Sequence, residues 1–244
     1  MSKFWNYLNA NELQNFKQMK KILLYFFIGL IAIVLFLFVY LKVFEFRANQ
    51  ISVGTLIQNY DSDNPALLVI DIQEVETGEL SEKDYYKTVS KSLIRKTNKI
   101  AEAFEKKDAP VVYIKSEISD PILNLLNNSY KKGSRKAELD KRLLVVSNYI
   151  ISKSRGDAFS NPQLDKLLIG KQVNHLIITG LDAAHCVNST IQAAKNRGYM
   201  ITVISDAVIS KTDSIKQVKL KEFSRNGIEV VSSEDYLMEL KKPE

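Results

Sequence analysis

One cysteine in 244 residues leaves no disulfide to close within the chain, whichever compartment it occupies. That thiol, Cys186, must serve otherwise. Histidine is almost as scarce: His175 and His185 are the only two, too few for a centre built on imidazole ligands, so no metal and no other cofactor is expected. Internal repeats and low-complexity tracts are absent, which excludes a repeat array. A general excess of positive charge is absent too, once the formal +6 is located along the chain. Lys3, Lys17, Lys20, Lys21, Lys42 and Arg47 against Glu12 and Glu45 put +4 into the first 48 residues and leave only +2 for the rest. The remainder offers no argument for nucleic-acid binding.

What the chain does have near its start is a long apolar run. Ile22 to Leu41 is twenty residues without a charge, and as a helix it would be about 30 Å long, the thickness of a bilayer core. A core helix of a domain this size would carry a polar face. A cleaved signal peptide fits poorly as well, because about twenty residues precede the run and no small-x-small site follows it. The run reads as a retained single-pass membrane anchor over residues 22–43, with the lipid bilayer as a partner. Four lysines before it against Lys42 and Arg47 after it favour a cytoplasmic N-terminus and an extracytoplasmic domain. Residues 1–21 form an N-terminal segment in which Trp5, Leu8, Leu13 and Phe16 stand at roughly helical spacing. Residues 44–64 lack sustained periodicity and read as a linker that ends in a turn at Asn64-Pro65.

From Pro65 to the end, short apolar runs alternate with longer amphipathic ones. Strands are expected at 66–72, 110–116, 143–152, 173–181, 199–208 and 228–233. The segment from Asp84 to Lys107 places Val89, Leu93, Ile94, Thr97, Ile100, Ala101 and Phe104 on one helical face, and further helices follow Cys186 and Asp213. This alternation predicts a Rossmann-like three-layer αβα domain over residues 65–244, with a mostly parallel six-stranded sheet. In such sheets the working residues collect at the carboxyl ends of the strands. Asp71 ends the first strand, Lys153 lies just beyond the third, and Cys186 follows the turn after the fourth. At the first turn of a helix, backbone N–H groups and the helix dipole are expected to lower the thiol's pKa below its usual value of about 8.5.

The stretches "ALLVIDIQ", "SKSRGDAFSNPQL" and "ITGLDAAHCVNSTIQAAKNRGY", in this order and spacing, resemble the isochorismatase-like cysteine hydrolases, a family that includes nicotinamidases and N-carbamoylsarcosine amidohydrolase. The resemblance implies an Asp71-Lys153-Cys186 triad that cleaves an amide or carbamoyl C–N bond of a small molecule through a thioester. It also implies a cis peptide at Leu181–Asp182 and an oxyanion site made by the N–H groups of Asp182 and Cys186. Gln73, Phe159 and His185 are expected to bind substrate. A homo-oligomer is left open. Two departures stand out: no histidine follows the second strand, where nicotinamidases hold a metal, and Val75 and Glu76 stand where an aromatic is expected. The alternatives are a vinyl-ether hydrolase of the isochorismatase type and a catalytically silent binding module.

Overall fold

In the computed structural model the chain divides after Ala48 into two units. The structure describes residues 2–58 and 62–241, and side chains at Glu12 and from Gln14 onward. The first unit is one continuous helix, α1 (Ser2–Ala48), within which Gln14–Ala48 is apolar and long enough to be a candidate membrane span. Its apolar side chains are exposed almost throughout, from Ile22 at 61% to Phe38 at 59%. The helix absorbs both the residues expected to precede the span and the first five of the expected linker. The side chains of Trp5, Leu8 and Leu13 lie outside the described residues.

The second unit is a six-stranded sheet in the order β3-β2-β1-β4-β5-β6, parallel at every pairing. The strands are β1 (Pro65–Ile70), β2 (Val111–Ser116), β3 (Ile150–Lys153), β4 (His175–Gly180), β5 (Met200–Val208) and β6 (Glu229–Val231). The strand order reverses between β1 and β4, and the loops leaving these two strands therefore part to opposite faces. Period-two alternation assigns the strand residues to two cores. Ala66, Leu68 and Ile70 face α4 (Pro162–Gly170), α5 (Cys186–Lys195) and α6 (Asp213–Arg225), whereas Leu67 and Val69 face α2 (Asp84–Lys106) and α7 (Ser233–Glu239). Helix α2 buries the expected face except for Val89, which is only partly covered, and the short helix α3 (Pro121–Leu126) follows β2.

Four segments differ from the sequence expectation. The strand expected over 143–152 is confined to β3, because the chain before it is pinned to the sheet edge by side chains rather than by a ladder. Tyr113 donates from its hydroxyl to Leu144 O at 2.6 Å and accepts from Val146 N–H at 3.1 Å. Helices α4 and α7 arise from local caps: Asn161 before Pro162 accepts from Gln163 N–H, and Ser232 accepts from Asp235 N–H. Finally, residues 49–58 lack regular structure but form a strap bound to the domain. Ile57 N–H donates to Arg197 O at 2.9 Å, Ser52 donates to the buried Asp157, and Ile51 and Ile57 pack on the core. Residues 59–61 of the expected linker lie outside the described residues.

Candidate active site

At the carboxyl edge of the sheet, Asp71 follows β1 with φ at 53°, and its N–H is tied to Ile114 O at 2.9 Å. Its carboxylate is divided between two donors: Oδ1 accepts from Ser116 Oγ at 3.0 Å and Oδ2 pairs with Lys153 Nζ at 2.9 Å. Ser116 and Lys153 end β2 and β3 and are register partners, which brings the hydroxyl and the ammonium to one point. Lys153 Nζ also donates to Ser116 Oγ at 2.9 Å, to Arg155 O at 3.2 Å and to Cys186 Sγ at 3.3 Å. All three triad candidates therefore meet around one ammonium.

The fourth corner is the turn between β4 and α5. Gly180, with φ at 113°, lies so close to β1 that a Cβ there would stand 2.0 Å from Ile70 O. A cis peptide joins Leu181 to Asp182, and Asp182 O then accepts the N–H groups of His185 at 2.9 Å and Val187 at 3.1 Å. The Asp182 carboxylate braces the turn by accepting from Ala184 N–H, Ser210 Oγ and Tyr86 hydroxyl. None of these bonds engages the N–H groups of Asp182 or Cys186, the pair expected to meet an oxyanion.

The electrostatics correct one expectation. Burial, followed by the charge of Asp71, pushes the Cys186 thiol up to about 12, and the opposing pull of Lys153 does not restore it. The helix start does not lower it, because desolvation and a neighbouring anion outweigh a partial dipole. Burial acts to lower the Lys153 ammonium as well, but Asp71 and Cys186 outweigh it and raise it overall. The resting arrangement is a neutral thiol beside an aspartate held by a cation.

Asp71, Ser116, Asp182 and Cys186 open into a cavity of about 220 Å³ whose wall also includes Glu76, Lys83, Tyr86, Tyr130, His185 and Lys211, while Lys153 lies buried behind it. His185 thus lies where it was expected. Gln73 and Phe159 do not. Gln73 is fully buried and its amide is spent on the backbone, donating to Ser116 O and Ala137 O and accepting from Ser116 N–H. Phe159 is buried in the core, against Tyr199 and beneath the Arg197 guanidinium. Sequence reading missed Ser116, although its place at the end of β2 was a usable signal. It also missed Tyr86 and Tyr130, which reach the cavity from distant segments without any local mark. Among the described residues, no three His, Cys, Asp or Glu side chains gather as metal ligands.

A family model described as an isochorismatase domain matches residues 65–235. The chain belongs to the isochorismatase family. It is 27% identical to the isochorismatase family protein YaaI of Bacillus subtilis over 180 residues, covering 71% of this chain and 96% of that one. It is 26% identical over 193 residues to a "Probable inactive nicotinamidase" of Arabidopsis thaliana, covering 72% of this chain and 96% of that one. Among solved structures it is similar to N-carbamoylsarcosine amidase from Thermoplasma acidophilum, with 27% identity and a TM-score of 0.60 over 70% of this chain and 96% of that one. The protein is thus an isochorismatase-family hydrolase related to amidases.

Proposed function

We propose that this protein is a membrane-anchored cysteine hydrolase that cleaves the C–N bond of a small amide or carbamoyl compound. The observation that carries the reading is the position of Lys153 Nζ, buried within hydrogen-bond reach of both Asp71 and Cys186, the two of the triad that line the cavity. Because the thiol is neutral at rest, attack requires a base, and Asp71 is the carboxylate beside it. As Sγ bonds to the acyl carbon, the thiol proton passes to Asp71, and Lys153 steadies the carboxylate and the sulfur through the transfer. The N–H groups of Asp182 and Cys186 receive the developing oxyanion. The proton then moves to the leaving nitrogen, the C–N bond breaks and ammonia or an amine departs. Water attacks the thioester, gives its proton to Asp71 and breaks the C–S bond, and the proton returns to Sγ as the acid leaves. A cavity of about 220 Å³ is smaller than the sites that take drug-sized ligands, which favours a small-molecule substrate.

The name of the solved relative, an N-carbamoylsarcosine amidase, supports C–N chemistry. A screen of small amides and ureido compounds against the wild type and Cys186→Ala tests the reading: turnover by the first and not the second is the expected result. Helix α1 supplies the anchor in this proposal, with the N-terminus in the cytoplasm and the domain outside it. A reporter fused after Glu244 that works only in the cytoplasm should be silent, and activity there would reverse the orientation.

A further inference from the structure

Glu76 is a buried charged group of the cavity that the reaction above leaves unused. Its side chain is 7% exposed, yet it forms part of the same cavity wall as Cys186. Lys83 Nζ reaches Glu76 Oε1 at 2.8 Å and Oε2 at 2.6 Å, and the Tyr130 hydroxyl donates to Oε1. A carboxylate offers about four acceptor positions, so Oε2 keeps one in hand. Lys83 is half exposed, and an ammonium has about three donors, of which two are committed to Glu76. The pair therefore presents an open acceptor beside an open donor.

The other anions of the cavity already have roles, Asp71 as the base of the reaction and Asp182 as the brace of the turn. Asp71 is held by Lys153 and Ser116, and Asp182 by Tyr86, Ser210 and the Ala184 N–H. A ring or alkyl group laid against Glu76 and Lys83 would strip water from both without replacing its hydrogen bonds. An amide or ureido group supplies the complement, an N–H for Oε2 and a carbonyl oxygen for Nζ.

We propose that Glu76 and Lys83 form a subsite for a second amide or ureido group, so that the preferred substrates are small acyclic compounds carrying two such groups. One reacts at Cys186 and the other docks on the pair. The proposal rests on the hydrolase reading for the reacting group, but the subsite is read without turnover. Because Cys186 is the only thiol, its alkylation by iodoacetamide at alkaline pH reports occupancy of the cavity in the detergent-solubilised full-length chain. Malonamide, with an amide at each end, should protect it about tenfold or more better than benzamide, which has one amide on a ring. Glu76→Leu should abolish that preference, and Glu76→Gln, which keeps the shape and one acceptor, should reduce it. Thermal unfolding checks that each variant is folded; if Glu76→Leu is not, Glu76→Gln and Lys83→Met carry the test. Equal protection by benzamide, an unchanged preference in the folded variants, or no protection by either compound would overturn the subsite. Protection by malonamide that is never hydrolysed would keep the subsite and sink the hydrolase reading.

Discussion

Lys153 and Arg197 are both cations with 2% of their surface exposed, and each is paired with an aspartate, yet their surroundings differ in kind. Arg197, just beyond the end of α5, holds Asp165 at 2.7 and 2.9 Å and reaches Ser52 O and Ala193 O, under a strap whose Gly54 could not carry a Cβ within 2.4 Å of Arg197 Nε. Its donors are absorbed by the fold. Lys153 gathers Asp71, Ser116 and a carbonyl in a similar way, but one further contact is a thiol, and that thiol lines a cavity together with Asp71 and Ser116. Burial of an ion pair therefore does not distinguish a site from a structural clamp. A reactive atom within reach of the pair, with room beside it, does.

The sharpest way to separate the two networks is to break each and read both activity and stability. At the open one, Cys186→Ala should abolish turnover, and Lys153→Ala or Asp71→Asn should each lower it by about three orders of magnitude or more, because members of a catalytic unit fail together. Asp71→Asn should also lower the pH midpoint of Cys186 alkylation, since it removes a charge that pushes the thiol's pKa up and leaves the opposing Lys153 in place. An unchanged or higher midpoint in that variant would contradict the electrostatic assignment.

At the closed network the loss should appear as stability. Arg197→Ala leaves Asp165 without its partner and takes one of two donors from the Ser52 carbonyl, and should cost about 3–5 kcal/mol in urea unfolding, while the protein that remains folded keeps its turnover. If turnover falls as steeply as it does in Lys153→Ala, the distinction between the two networks fails. Shortening the chain refines the same point. A chain that starts at Asn49 should unfold within about 0.5 kcal/mol of the full-length one, since it keeps the strap. One that starts at Ser62 should be less stable by several times that amount, because the strap's bonds to Asp157 and Arg197 go with it.

A smaller effect comes from pH. The Cys186 pKa is raised on folding, so the stability the thiol contributes is complete below about pH 8.5 and is lost as pH rises toward the folded value, at up to about 1.4 kcal/mol per unit. Lys153, also raised, adds loss in the same direction at still higher pH. Between pH 8.5 and 10 the wild type should therefore lose urea resistance faster than Cys186→Ala. Parallel decline in both would show that the thiol is not buried as a neutral group.

How much of this could be read beforehand follows from where each signal lies. The strands announced themselves by unbroken apolar runs, and Asp71, Lys153 and Cys186 by ending or following them, because a parallel sheet sends such positions to one edge. Gln73 and Phe159 sit in the same motifs but turn inward, and nothing in a one-dimensional pattern separates a side chain that faces a cavity from one that braces its wall. The strap escaped for a related reason: Ser52 and Asp157 are 105 residues apart, and a segment without periodicity reads as free until its partners are in place. The thiol's direction of shift was missed because a helix start is visible in sequence and desolvation is not.

The central claim is that Cys186 forms a covalent bond to the acyl carbon. Quenching turnover of any amide substrate and weighing the intact protein tests it directly. The account predicts one added acyl group, mapped to the peptide that contains Cys186, in the wild type, and none in Cys186→Ala, which also fails to turn over. Near-normal turnover by Cys186→Ala, with activity lost only in Asp71→Asn, would contradict it and assign the chemistry to a carboxylate that works without the thiol.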